Sequence, residues 1–173
     1  MTPNALIKSS DLEAELPKQT SFRSQRLFHF LVASETTLPA SSADVWRVLI
    51  DFEHYKNWNS FTQKAETEFT EGAPIYLEVH GLESKPLQRV EFIHSVIPER
   101  RICWGMRIGP LLTANRIQWI HPLTTDRTLY RTEDHISGIL APLVKILYGQ
   151  KMQKGFDAVC SGLQKYFSQS SND

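Results

Sequence analysis

Asp51, Glu53 and His54 fall within one short stretch, "DFEHYKNWNSF" (51–61), and are groups that trade protons. Acid–base work requires such groups to converge on one substrate atom. In a helical turn residues 51 and 54 share a face while 53 points elsewhere, so capping and solvated charge are the simpler roles. Phe52, Tyr55, Trp58 and Phe61, spaced by three in the same stretch, read as packing. Nucleophilic catalysis has little support. Cys160 sits on an apolar helical stripe and reads as core, and no histidine can be placed beside Cys103. The chain has no nucleophile-elbow serine, CxxC or HExxH spacing, so neither a metal nor another cofactor is expected.

These residues must be positioned by a chain of 173 residues, the size of one domain. Apolar residues make up 41% and charged residues 22%, as in ordinary globular proteins. Nineteen basic side chains balance nineteen acidic ones, which argues against a nucleic-acid partner. Two cysteines allow no disulfide framework; reduced thiols and a cytoplasmic location are the simpler expectation. The longest apolar run, "ILAPLVKILY" (139–148), is too short to span a bilayer and contains Lys145. The basic residues of the first 29 positions are interspersed with Asp11, Glu13 and Glu15, unlike a transit peptide.

Residues 1–26 read as a partly ordered extension, 27–168 as the folded domain and 169–173 as a frayed tail. "LFHFLVASETTL" suits a first strand and ends at Pro39. "SSADVWRVLIDF" follows, with Ser41 or Ser42 as N-cap and an apolar stripe of Val45, Trp46, Leu49 and Ile50; a second short helical turn continues it. From Phe61 to about Ser137 six runs bounded by turn residues read as a meander of antiparallel strands. A helix from about Gly138 to Phe167 closes the chain, with Leu140, Leu143, Val144, Leu147, Met152, Phe156, Val159, Cys160, Leu163 and Phe167 as its stripe. The expected architecture is α+β: about seven curved antiparallel strands wrapped on one long C-terminal helix. The space between them is where a ligand fits.

Here the sequence resembles a known superfamily. "TLPASSADVWRVLIDFEHYKNWNSF" is similar to the first signature of the START-related helix-grip proteins (SRPBCC, or polyketide cyclase/dehydrase-like), with Val45, Trp46, Leu49, Asp51, Phe52, Tyr55, Trp58 and Asn59 at matching positions. Ser60 replaces the usual proline. "VIPERRICW" (96–104) and "TLYRTEDHISGILAPL" (128–143) resemble two later family stretches. The resemblance spans about residues 30–168. It implies a helix-grip fold around a hydrophobic cavity, without fixing one activity.

Strand alternation and the register implied by the resemblance then assign faces. Ile102, Trp104, Met106 and Ile108 face the helix, as do Ile75, Leu77 and Val79; His80 faces out. Tyr130, Thr132, Asp134 and Ile136 point inward, with Arg131, Glu133 and His135 outside. The same register turns Arg116, Gln118 and Ile120 inward and leaves Ile117 and Trp119 outside. Either that strand is slipped by one residue or something covers its outer face; the extension, with Leu12, Leu16, Phe22 and Leu27, is the candidate cover. The expected ligand contacts are Trp58, Trp104, Met106, Arg116, Gln118, Tyr130, Thr132 and Asp134. Asp134 is the expected partner of a buried Arg116. Three functions fit: a carrier of a hydrophobic or aromatic molecule (lipid, polyketide or quinone-like), a cyclase-like enzyme using Asp134, Tyr130 or Arg116, and a partner-binding regulator. The first leads. Nothing in the sequence fixes the oligomeric state.

Overall fold

The computed structural model describes residues 27–170, so both the proposed extension and the end of the tail lie outside the described residues. One seven-stranded antiparallel sheet has the order β1-β7-β6-β5-β4-β3-β2. Its strands are β1 (His29–Leu38), β2 (Thr62–Thr67), β3 (Pro74–Val79), β4 (Leu87–Ile97), β5 (Arg101–Ile108), β6 (Leu112–Pro122) and β7 (Thr128–Ser137). Helix α1 (Ser42–Ile50) and a 3-10 turn (Phe52–Asn57) link β1 to β2, and helix α2 (Ala141–Ser170) follows β7. This is the expected helix-grip architecture. The chain returns after α1 to the far edge of the sheet and then meanders back, so β7 closes beside β1.

Local chemistry explains the linking segment. Ser41 caps α1: its Oγ accepts from the Asp44 amide at 3.2 Å and donates to the Asp44 carboxylate at 2.6 Å, satisfying an orphan amide of the first turn. Val45 and Leu49 carry the buried stripe. The Tyr55 hydroxyl then donates to the Leu49 carbonyl at 2.6 Å, folding the 3-10 turn back onto α1. Asn59 is buried, and its Oδ1 accepts from the Phe61 and Thr62 amides at 3.1 and 2.7 Å. That amide side chain turns the main chain into β2 in place of the proline the family pattern prefers.

Helix α2 is 30 residues long, about 45 Å at 1.5 Å per residue. Its middle and C-terminal half bury Met152, Phe156, Val159, Cys160, Leu163 and Phe167. At Gly162 an added Cβ would stand 1.9 Å from the Trp58 carbonyl oxygen, so only glycine permits this approach of helix to turn. The first turns differ from the expected stripe. Leu140, Leu143 and Leu147 are exposed, Ile146 still more so, and of this segment Ala141 is buried while Val144 and Tyr148 pack partly against the core.

Most strand faces follow the expected alternation, and β6 is not slipped; the end of β5 departs from it, with Ile108 49% exposed and Met106 only partly buried. Arg116 pairs with Asp134, Gln118 with Thr132 and Ile120 with Tyr130, and Arg116, Gln118 and Ile120 are all buried. Trp119 on the outer face is covered by its own neighbours. Its Nε1 donates to Glu133 Oε1 at 3.0 Å, its ring stacks on His121 at 5.7 Å, and the Arg101 guanidinium lies 5.3 Å from it. The outer sheet therefore carries a polar layer there, and Trp119 has a cover among the described residues without the extension.

Candidate functional site

Between sheet and helix lies a cavity of about 220 Å³. Its apolar wall includes Phe61, Leu77, Trp104, Ile136, Met152 and Phe156. Five polar side chains also face it: Thr62, Arg89, Glu91, Arg116 and Asp134. The β3–β4 loop closes one side, contributing the buried Leu82. It is tied to α2 by the Tyr148 hydroxyl donating to Glu83 Oε1 and by Lys151 Nζ donating to the Leu82 carbonyl, both at 2.6 Å.

Cross-strand pairing sets the polar groups side by side. Trp104 on β5 pairs with Arg116 on β6, which pairs with Asp134 on β7, so the three form one inward row with neighbours about 4.8 Å apart along the hydrogen-bonding direction. Arg89 and Glu91 come from β4. Their partners on β3 are Leu77 and Ile75, both buried, and directly opposed residues share a face. The pairing therefore turns Arg89 and Glu91 inward and leaves Val90 and Phe92 about half exposed, at 50% and 49%.

Arg116 is not ion-paired to Asp134 as expected. Its guanidinium lies 4.5 Å from the Phe156 ring centroid, 5.8 Å from Trp104 and 5.9 Å from Phe61. Ring quadrupoles stabilise the buried cation in place of a carboxylate, by about 2 kcal/mol for a desolvated contact. Arg89 Nε meets Glu91 Oε1 at 3.3 Å, and its Nη2 approaches Met106 Sδ at 2.8 Å.

Four of the lining residues carry a buried atom with no hydrogen-bond partner within the protein: Thr62 Oγ1, Trp104 Nε1, Arg116 Nε and Asp134 Oδ1. Each such group costs about 1–3 kcal/mol if left unsatisfied. Together they are two N–H donors, a hydroxyl and a carboxylate oxygen in side chains beside the cavity. Burial raises the Glu91 pKa to about 7, with Asp134 pushing the same way against the nearby charges of Arg89 and Arg116. Burial also raises Asp134, outweighing Arg116, Arg89, His135 and a backbone hydrogen bond. On the opposite face burial would raise Glu133 too, but hydrogen bonds from His135, Arg131 and Trp119 hold it down at about 2.

Of the eight residues expected to contact a ligand, Trp104, Arg116 and Asp134 line this cavity. Trp58 is buried against Tyr55, ring centroids 4.9 Å apart, and Phe61 takes the place at the wall. Met106 holds Arg89 instead of facing the cavity. Tyr130, Gln118 and Thr132 are buried beyond its lining. The Tyr130 hydroxyl donates to Gln118 Oε1 at 2.5 Å, and burial pushes its pKa far above the ordinary phenol value. Phe61, which the spacing marks as packing, lines the wall, and so do Thr62, Arg89 and Glu91, which are not among the expected contacts; the β3 register is the signal for the last two. His54 Nδ1 and Asp51 Oδ1 pair at 2.8 Å in solvent, away from the cavity. No cluster of metal-binding side chains occurs among the described residues, and no described helix is long and apolar enough to cross a membrane.

A curled antiparallel sheet closed by a long C-terminal helix over an apolar cavity defines the START-like helix-grip class. Residues 39–168 match the family described as activator of Hsp90 ATPase homolog 1-like protein, and the chain belongs to that family. No curated protein sequence matches it. Among solved structures it is similar to a START superfamily protein from Mycobacterium smegmatis (18% identity, 80% of this chain and 97% of that one, TM-score 0.61). It also resembles the Zhui aromatase/cyclase from Streptomyces sp. R1128 (18% identity, 79% and 94%, TM-score 0.59). A third is norcoclaurine synthase from Thalictrum flavum in complex with dopamine and hydroxybenzaldehyde (16% identity, 82% and 87%, TM-score 0.61). At these identities the likeness is one of fold.

Proposed function

We propose that residues 27–168 form a binding domain for a compact, mostly apolar ring compound, held between sheet and helix with its oxygen atoms toward Trp104, Arg116 and Asp134. The observation that carries this reading is the coincidence of the apolar cavity with four unpartnered buried polar atoms in the side chains that line it. Size narrows the ligand. A cavity of about 150 Å³ accommodates benzene, so about 220 Å³ suits one substituted ring better than a long acyl chain. The lipid reading is accordingly the weaker one, and a fragment of polyketide or quinone character the stronger.

The family description names an activator of the Hsp90 ATPase, which makes a partner-binding regulator the second reading; the gathering of unpartnered polar atoms in side chains that line one cavity favours a ligand. The ligand reading accounts for them. Free Cys103 and Cys160 support a reducing compartment such as the cytoplasm, and the balanced charge supports a partner other than nucleic acid.

Native mass spectrometry of the purified full chain tests the reading. A small-molecule adduct lost on denaturation is expected, and filling the cavity with Ala114→Phe should abolish it while the variant still unfolds cooperatively. An adduct of equal occupancy in the folded variant, or no adduct and no saturable binding of any small ring compound, would overturn it.

A further inference from the structure

Gathering four charged side chains around one small apolar cavity, with Glu91 and Arg116 buried, is costly for a fold, and clusters of that kind mark functional sites. Arg89, Glu91, Arg116 and Asp134 all face this cavity, and only Arg89 and Glu91 meet directly. A structural ion-pair network would satisfy its members. Here Arg116 Nε, Asp134 Oδ1 and the adjacent Trp104 Nε1 are left without partners in the protein. The wall thus presents a carboxyl on β4, a row of N–H donors on β5 and β6, and a second carboxyl on β7. Removal of a proton beside a carbonyl needs those parts: a base near the C–H bond and preorganised donors where the oxygen becomes negative.

We propose that Glu91 is the acid–base residue for enolisation of a ring-borne ketone in this cavity, with Trp104 Nε1–H and Arg116 Nε–H holding the ketone oxygen. The inference rests on the binding reading above and adds a reaction to it. The Glu91 carboxylate takes the proton from the carbon next to the carbonyl. The C–H electron pair becomes the new C=C bond, and the carbonyl π pair moves onto the oxygen held by the two N–H groups. Return of the proton from Glu91 to carbon or oxygen completes the step, with no redox partner and no leaving group. Asp134 Oδ1 accepts from a ring hydroxyl and fixes the ligand's orientation. The raised pKa of Glu91, about 7, leaves both its forms populated at neutral pH, as a group that takes and returns a proton requires.

The test uses the full chain in D₂O with 4′-hydroxyacetophenone. Loss of its methyl proton signal in NMR reports enolisation, and saturation transfer on the ring protons reports binding separately. Wild type should accelerate exchange over buffer, with a pH profile that inflects near the Glu91 pKa of about 7. Glu91→Gln should slow exchange about a hundredfold with binding retained, and Glu91→Asp should recover part of the rate. Binding without accelerated exchange, or exchange as fast in Glu91→Gln as in wild type, overturns the inference and leaves the binding reading intact. Absence of binding of this ketone overturns the inference, and the adduct measurement above then decides the binding reading separately.

Discussion

Stability of the ligand-free protein should fall as the pH rises from about 4.5 to about 7, and Glu91 should cause much of the fall. Its pKa moves from 4.5 to about 7 on folding, because the side chain is only 8% exposed as a residue and the charged form is poorly solvated there. A carboxyl whose folded pKa is raised stabilises the fold while protonated and loses that contribution as the pH passes through the folded value. That rise to about 7 corresponds to about 3 kcal/mol of stability. Arg89 and Arg116 soften the penalty and Asp134 adds to it; Asp134 is itself raised and contributes a slope of the same sign. The experiment is urea unfolding of wild type and Glu91→Gln at closely spaced pH values from 4 to 8. The variant, neutral throughout, should lack the Glu91 part of the decline and gain up to about 3 kcal/mol over wild type at pH 8. Parallel curves for the two proteins would refute the reasoning, since Glu91 would then titrate alike in the folded and unfolded chain.

Three further outcomes follow from particular contacts. Glu133, held down at about 2, stabilises the fold above its unfolded pKa and loses that as the pH falls through 2. Glu133→Gln should therefore cost about 3 kcal/mol at pH 7 and nearly nothing at pH 2, measured by denaturant unfolding. Tyr130→Phe removes the donor to Gln118 and should cost about 1–3 kcal/mol; because Tyr130 lies outside the cavity lining, affinity for a cavity ligand should stay within about twofold, by calorimetric titration. Gly162→Ala drives a Cβ against the Trp58 carbonyl and should cost about 3 kcal/mol or more in thermal unfolding.

Much of the fold is legible in the sequence because it rests on short-range patterns: alternation in β3, β5 and β7, the Ser41 cap and the long helical period. The inward row of Trp104, Arg116 and Asp134 is legible once the register is fixed, even though it leaves Ile117 and Trp119 on the outer face. What covers Trp119 is not, since Glu133, His121 and Arg101 reach it from separate positions on three strands. Glu91 and Arg89 escape because β4 inverts the usual pattern, with Val90 and Phe92 outward; only its pairing with β3 shows this. Trp58 gives way to Phe61 at the wall because the Asn59 turn decides which ring enters, and spacing by three does not encode that turn. The helical stripe at Leu140, Leu143 and Leu147 continues in sequence where those side chains find no cover among the described residues.

A ring compound that enters this cavity should place an oxygen on Trp104 Nε1. The protein has four tryptophans, and the Trp119 indole already donates to Glu133. Indole N–H correlation spectra of ¹⁵N-labelled protein, with Trp104 assigned through Trp104→Phe, test the claim most directly. On titration with 4′-hydroxyacetophenone the Trp104 signal should move downfield and saturate, as a newly hydrogen-bonded donor does, while that of Trp119 stays in place. A Trp104 signal that does not respond to bound ligand would contradict the account.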